Sequence, residues 1–273
     1  MPDLRHLREP ALIIAMGGWN DATSAATGVV EHLIDLTQAE MAFDIDVEEF
    51  IDYQVARPRW VAVEGASREL DWPSIEFLVA SLEDRDLVLL TGPEPNLRWR
   101  EFTSRVVSVA RSIKPKIVVT LGAMLTDAPH SRPTPVAAST TDAGLADRLG
   151  VTESEYEGPT GIIGVLADAL GERYPVVALW ASAPHYVAET PNPKATLALL
   201  RELEDVLDIP LDSGDLGDMA LAWEKQIDEM AGDDPDVAAY IATLEERRDS
   251  ELPQVTGDTI AAEFQKYLRR RNR

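Results

Sequence analysis

The chain has 273 residues, of which 45% are hydrophobic and 27% are charged, the composition of a soluble globular protein with one large domain or two small ones. Its formal net charge of −23 argues against nucleic acid and against an anionic membrane surface as partners, because both attract a basic protein face. The chain has no cysteine, which excludes disulfides, thiolate catalysis and zinc sites built from cysteine.

The chain opens with a predicted strand, a glycine turn and a helix. Residues 11–16 are continuously apolar, which is typical of a strand buried on both faces. Gly17 and Gly18 begin the turn, and Asn20 or Asp21 can cap the helix that follows. The apolar run at 11–16 is too short for a signal peptide or a membrane span, and we expect a cytoplasmic protein.

Strands and helices then alternate along the chain. Further strands are predicted at 44–51, 59–64, 86–91, 116–121 and 175–180, and helices at 99–113, 142–149, 161–170 and 192–207. This alternation predicts an α/β fold in which helices sandwich a mostly parallel sheet. The antiparallel-looking piece at 44–64 is expected to make the sheet mixed.

The character of the sequence changes near residue 212. Residues 212–251 contain 13 acidic and 3 basic side chains, a net charge of −10, which indicates a solvated face. Helices are predicted at 217–231, 235–248 and 257–270, and apolar stripes should hold them against the core. We therefore predict two units, an α/β domain at 1–211 and an acidic α-helical region at 212–273.

Four unusual loops follow predicted strands, so they should share the edge of a parallel sheet where ligands commonly bind. Their sequences are GGWNDA, TGPEPNLRW, LGAMLTDAPHSRP and ASAPHYVAETPNP. The last two contain Ala-Pro-His, at 128–130 and 183–185, and are called the Pro-His loops below. Because proline stiffens both loops, we expect His130 and His185 to lie around a common cleft.

These loops have a functional and a structural interpretation. The functional one is a polar ligand-binding site, for which the candidates are Asn20, Glu94, His130, Arg132, His185 and Tyr186. The structural one is a set of stiff turns whose histidines bond only neighbouring carbonyl groups. No metal site is expected, because neither histidine has a helical partner four residues away or an evident third ligand.

The segment EGPTGIIGVL, residues 157–166, opens a predicted helix with three glycines. Exposed backbone N–H groups near Gly158 and Gly161 are candidates for binding an anion, although we favour tight helix–sheet packing as their role. The segment matches neither the dinucleotide-binding nor the P-loop motif, and the chain has no G-x-S-x-G elbow. No cofactor is predicted, and no catalytic residue can be assigned.

Five segments together resemble the proteasome assembly chaperone 2 family, in the family's order over roughly residues 10–210. They are GGWNDA, TGPEPNLRW, TLGAMLTDAPHSRP, YEGPTGIIGVL and LWASAPHYVAETPNP. The resemblance implies an α/β sandwich similar to that of nucleoside phosphorylases, a non-catalytic chaperone role, an unidentified protein partner and a homo-oligomer, with a trimer as the expected order. The candidate interface aromatics are Trp19, Trp99, Trp180 and Tyr186.

Two further hypotheses compete with the chaperone role. Bacterial relatives often carry an ATP-grasp-like or carboxylate–amine ligase-like label, so the chain can instead be a small-ligand-binding protein or an enzyme for a carboxylate or nucleoside-type substrate at the Pro-His loops. The third hypothesis is a structural protein whose loops only build an oligomer interface. The chain ends Arg271-Asn272-Arg273 instead of the family's hydrophobic-Tyr-X tail, so we expect no proteasome docking through this end.

Overall fold

A central β-sheet organises the protein, whose computed structural model describes residues 6–63, 68–188 and 191–251. The strands in these residues are β1 (Ala11–Gly17), β2 (Glu40–Ile45), β3 (Arg59–Val61), β4 (Glu69–Asp71), β5 (Ile75–Ser81), β6 (Asp86–Pro93), β7 (Ile117–Thr126), β8 (Val136–Ser139) and β9 (Val176–Pro184). Seven of them form one sheet in the order β2-β5-β6-β1-β7-β9-β8, and β3 pairs with β4 in a separate two-stranded ribbon.

The middle of the sheet is parallel and its edges are antiparallel. Strand β1 pairs in parallel with β6 and β7, and β7 pairs in parallel with β9. Strand β5 runs antiparallel to both β2 and β6, and β8 runs antiparallel to β9. The carboxyl ends of the four parallel strands therefore meet at one edge of the sheet, as the sequence predicts.

The predicted mixed sheet is confirmed, but the segment 44–64 is not what makes it mixed. Strand β2 ends at Ile45, and the chain then turns, with the N–H groups of Phe50 and Ile51 both donating to the carbonyl oxygen of Val47 at 2.9 Å. The side chains of Phe50 and Ile51 are buried, and this apolar signal imitates a strand. The strands that run opposite to the others in the main sheet are β5 and β8, and neither was predicted.

Helices cover both faces of the sheet. They are α1 (Ala25–Thr37), α2 (Trp99–Ile113), α3 (Ala143–Leu149), α4 (Ile162–Gly171), α5 (Pro193–Leu207), α6 (Leu216–Gly232) and α7 (Pro235–Glu251). Helices α1 and α5 pack in one hydrophobic core, and α2 and α4 pack in the other. Strand β1 serves both, with Ile13 in the first core and Ile14 in the second, which explains its continuous apolar run.

The two described C-terminal helices dock on the rest of the chain, as predicted. Helix α6 contributes Leu216 and Ala220 to the core that α5 shares, and α7 buries Ile241 and Leu244. The third predicted helix, at 257–270, and the basic C-terminal end lie outside the described residues. The division of the chain into two units remains a proposal. Within the described ranges, no helix is long and apolar enough to cross a membrane.

Candidate functional site

The four loops lie at the same edge of the sheet, but their polar side chains form two separate groups. Thr126 at the end of β7 is in register with Pro184 at the end of β9, which brings the two Pro-His loops together. Next to them, the N–H of Ala123 donates to the carbonyl oxygen of Asn20 at 2.8 Å. The first group contains Asn20, Glu94 and Gly161, and the second contains His130, Arg132, His185 and Tyr186.

Glu94 ties the loop after β6 to the turn after β1 and to helix α4. One carboxylate oxygen, Oε1, accepts from Asn20 Nδ2 at 2.7 Å and from the backbone N–H of Ile162 at 2.8 Å. The Glu94 carboxylate therefore occupies the N-terminus of α4. This is the position at which the N–H groups near Gly161 were considered as a site for an external anion. Asn20 is fully buried, and a Cβ on Gly161 would lie 1.8 Å from its Oδ1. Gly161 is thus explained by close packing, and Gly158 lies against Tyr156 instead of in this group.

Asp21, rather than Asn20, caps the first helix. Its carboxylate accepts from the N–H of Ala26 at 2.7 Å and of Thr27 at 3.3 Å. Burial raises the pKa of Asp21, while the hydrogen bonds from Thr27 and Ala26 oppose that rise. The turn is tight, because Thr23 and Ser24 both adopt positive φ angles, 60° and 51°. The cap and the turn fix Asn20 in its buried position beside Glu94.

His130 is buried, only 2% exposed, and both ring nitrogens have partners. Nδ1 lies 2.7 Å from the Tyr186 hydroxyl, which also accepts from the backbone N–H of His130 at 2.7 Å. Because the Tyr186 hydroxyl accepts the backbone N–H, we assign its own O–H as the donor and Nδ1 as the acceptor. The ring proton is then on Nε2, which donates to Asp228 at 3.0 Å. His130 thereby joins the loop after β7, the loop after β9 and helix α6.

The two Pro-His loops share one aromatic cluster, which confirms the predicted proximity of the histidines. Tyr186 stands between them, with ring centroids 5.8 Å from His130 and 5.8 Å from His185. Tyr240 of α7 adds a fourth ring, 5.7 Å from His185 and 6.3 Å from Tyr186. In contrast to His130, His185 is 42% exposed and lies 3.3 Å from the carbonyl oxygen of Thr126.

Helices α6 and α7 cover the Pro-His loops with acidic side chains. Arg132 forms two bonds to the carboxylate of Asp249, from Nε and Nη2, both at 2.8 Å. Ser131 donates to Glu245, and Lys194 bridges the carbonyl oxygen of His130 and the carboxylate of Glu224. Part of the acidic segment therefore faces basic groups of its own chain, which corrects the expectation of a purely solvated face.

Sequence reasoning did not identify the residues that contact the Pro-His loops from helices α6 and α7. They are Trp223, Asp228, Tyr240, Glu245 and Asp249. They come from a segment about 100 residues further along the chain, where their pattern predicts only amphipathic helices. The result is a covered cluster in place of an open cleft between the imidazoles. Within the residues that the structure describes, no group of three His, Asp or Glu side chains is arranged to hold a metal ion.

Tyr186→Phe should remove a phenol that ionises at a higher pH than an ordinary tyrosine. Burial raises the pKa of Tyr186 from the ordinary 10 to about 12, and the carboxylates of Glu245 and Asp228 act in the same direction. In the unfolded chain this phenol ionises near pH 10. Its ionisation should therefore favour the unfolded state, and lower the stability of the protein, as the pH rises from 10 to 12. Tyrosinate absorbance of the native wild type should show one more phenol titrating near 12 than the variant does. A lost phenol that titrates near 10 would contradict the buried position.

Comparison with known proteins identifies the family that this chain resembles over most of its length. The PAC2 family model matches residues 15–231. A solved proteasome-assembly chaperone homologue from Mycobacterium tuberculosis is 45% identical, with 85% of this chain and 99% of that chain covered and a TM-score of 0.77. A PAC2 family protein from Streptomyces avermitilis is 42% identical, with coverages of 85% and 99% and a TM-score of 0.78.

A more distant structure shows the fold alone. Pyrococcus furiosus PbaA, an archaeal homologue of proteasome-assembly chaperone, is 15% identical, with 89% of this chain and 96% of that chain covered and a TM-score of 0.60. No curated protein matches the sequence.

Proposed function

The chain belongs to the PAC2 family, and from this premise we propose that it is a homo-oligomeric, assembly-chaperone-like protein that acts by binding other proteins and not by catalysis. The support from relatives is specific, because a protein 45% identical and 99% covered is described as a proteasome-assembly chaperone homologue. Proteasome subunits are therefore the first partner class to test. We expect self-association as a trimer of about 90 kDa, three times the 30.0 kDa of one chain.

The single observation that carries the proposal is the burial of His130 and the bonding of its polar neighbours beneath helices α6 and α7. Catalysis by these residues would need an imidazole within reach of a substrate. His130 is instead buried, and His130, Arg132 and Tyr186 have their polar groups engaged by Asp228, Asp249 and each other. His185 is exposed, but these polar groups, which a site around it would need, are already bonded within the chain. Such a network suits a structural cluster that fixes the C-terminal helices on the sheet edge.

The alternative, a small-ligand-binding protein or an enzyme at the Pro-His loops, has less support for the same reason. A groove of about 640 Å³ does lie between α5 and α6, lined in part by Lys194, Arg201 and Glu224. It contains neither histidine, and its walls carry both charge signs. A carboxylate or nucleoside-type substrate bound there would not meet the residues that suggested the enzyme hypothesis.

The proposed function predicts an effect on proteasome assembly. Purified proteasome α- and β-subunits from the same source, mixed with the protein, should form complexes with it and assemble into 20S particles faster than without it. Native gel electrophoresis with mass spectrometry of the bands measures both effects. The matched control is an equal concentration of an unrelated acidic protein. Unchanged assembly together with no subunit binding would contradict the assembly role.

A further inference from the structure

Helices α6 and α7 are held on the sheet edge in different ways. Helix α6 contributes apolar side chains to a hydrophobic core, and its Asp228 accepts from the buried ring of His130. Helix α7 buries two of its 17 side chains, Ile241 and Leu244, and neither belongs to one of the two cores. The segment that joins the two helices, residues 232–236, is exposed throughout. Helix α7 is therefore the less firmly attached of the two.

The carboxylates of α7 bond to the loop after β7. Asp249 accepts two bonds from Arg132, both at 2.8 Å. Glu245 accepts from Ser131 and lies 3.4 Å from Nη1 of Arg132. The two carboxylates are one helical turn apart, so they meet the loop side by side. The side chains of Arg132 and Asp249 are 30% and 50% exposed, and ion pairs this exposed add little stability and weaken with salt.

The other charges and rings of this contact also complement each other. Arg247 lies 3.4 Å from a carboxylate oxygen of Asp127. The ring of Tyr240 lies against His185 and Tyr186, and its hydroxyl is 3.5 Å from both Asp127 and His185. The loops thus present a cation, an anion and two rings, and α7 presents the matching groups. The surface on the loops, called the loop face below, consists of Asp127, Ser131, Arg132, His185 and Tyr186.

The loop face is placed where a partner can reach it once α7 moves. It lies at the carboxyl ends of parallel strands, the edge at which proteins of this topology commonly bind ligands. Recognition of an amphipathic helix through anchors along one side is a recurrent mode of protein binding. Elements that move aside for a ligand come from the least stable parts of a structure. Helix α7 has the position, the chemistry and the weak attachment of an intramolecular occupant.

We propose that the loop face is a docking site for a helix of a partner protein, and that α7 occupies this site in the unbound protein. The partner helix carries two carboxylates one turn apart for Arg132, a basic residue for Asp127 and an aromatic ring for His185. Helix α6 stays over His130 when α7 leaves. The inference rests on the proposed function, because it names the surface by which the protein binds another one.

The test uses the full chain, with a fluorescent peptide of the sequence of residues 235–251 as the probe. In the variant Glu245→Lys/Asp249→Lys, Arg132 repels the changed α7, while every residue of the loop face is intact. A site that is open in only a fraction of the molecules binds with an affinity reduced by that fraction. Uncovering it should therefore lower the dissociation constant of the peptide about 5-fold or more, relative to the wild type, as fluorescence anisotropy measures.

Three controls tie this effect to the loop face. The variant Glu246→Lys/Glu251→Lys makes the same change of charge at two exposed positions of α7, and it should bind the peptide as weakly as the wild type does. A peptide that itself carries Glu245→Lys and Asp249→Lys should not bind. Arg132→Glu, added to the Glu245→Lys/Asp249→Lys variant, should abolish the binding of the wild-type peptide.

Hydrogen exchange of the wild type provides a second arm that needs no substitution. Raising NaCl from about 0.05 M to about 0.5 M screens the exposed ion pairs, so exchange should quicken in α7 more than in α6. An equal response of the two helices would show that α7 is not released separately, and would overturn the proposal.

The peptide experiment also has outcomes that contradict the docking site. Equal affinities of the wild type and the Glu245→Lys/Asp249→Lys variant would overturn it, and the proposed function would stand if proteasome subunits still bind the protein. Wild-type chains that exchange α7 with each other would form oligomers that this variant loses. That result would assign the loop face to a second copy and overturn the partner site.

Discussion

His130→Ala should lower the free energy of unfolding by about 2–4 kcal/mol, because it removes a buried ring and two hydrogen bonds at once. The ring lies between Tyr186 and Trp223, with centroids 5.8 Å and 6.4 Å away. After the change, the carboxylate of Asp228 loses its donor and the hydroxyl of Tyr186 loses its acceptor. Alanine also leaves a cavity between the loop after β7 and helix α6.

Two measurements locate this loss. Urea unfolding gives the free energy, and hydrogen exchange should quicken in α6 more than in α1, since α6 carries Trp223 and Asp228. The matched control is His185→Ala, whose side chain is 42% exposed and should cost less than about 1 kcal/mol. Equal losses from the two variants would contradict the assignment of His130 as the residue that holds α6.

Gly161→Ala should cost about 2–3 kcal/mol, because the new methyl group has no room. A Cβ on Gly161 would lie 1.8 Å from Asn20 Oδ1 and 2.6 Å from its Cγ. Asn20 cannot move away cheaply, because it is fully buried and its amide donates to Glu94 at 2.7 Å. The clash therefore falls on the contact that joins the turn after β1 to the start of α4.

A glycine in open space serves as the control for this substitution. Nothing lies within 4 Å of a Cβ on Gly217 in helix α6, so Gly217→Ala should stabilise the protein by about 0.4–1 kcal/mol. Adding Asn20→Ala to Gly161→Ala should recover part of the loss, because the clashing amide is gone. Thermal unfolding of the wild type, Asn20→Ala, Gly161→Ala and the double variant measures the coupling between the two positions. A Gly161→Ala variant as stable as the wild type would contradict the packing described here.

The parallel core of the fold could be predicted, and the antiparallel edges could not. Strands buried on both faces give continuous apolar runs such as residues 11–16, which are visible in the sequence. Strand β8 has four residues, Val-Ala-Ala-Ser, with little intrinsic strand preference, and it exists because β9 offers a free edge. The buried Phe50 gives a strand-like signal from within a turn.

The site was predictable in its position but not in its closure. The rule that parallel strands end at one edge brings the Pro-His loops together, and Tyr186 does lie between the two histidines. The groups that cover them come from far along the chain, since Asp228 lies 98 positions after His130 and Asp249 lies 117 positions after Arg132. Local periodicity cannot reveal a pairing over such separations.

Closure of the Pro-His loops by α6 and α7 is tested most directly by the chemical reactivity of the histidines in the native wild type. Diethyl pyrocarbonate modification, followed peptide by peptide with mass spectrometry, compares His130 with His185 in the same cluster. His185 should react quickly, and His130, at 2% exposure, should stay protected until the protein unfolds. Modification of both histidines at the same rate would show that the loops are open, and would favour a ligand-binding or catalytic site over the structural cluster.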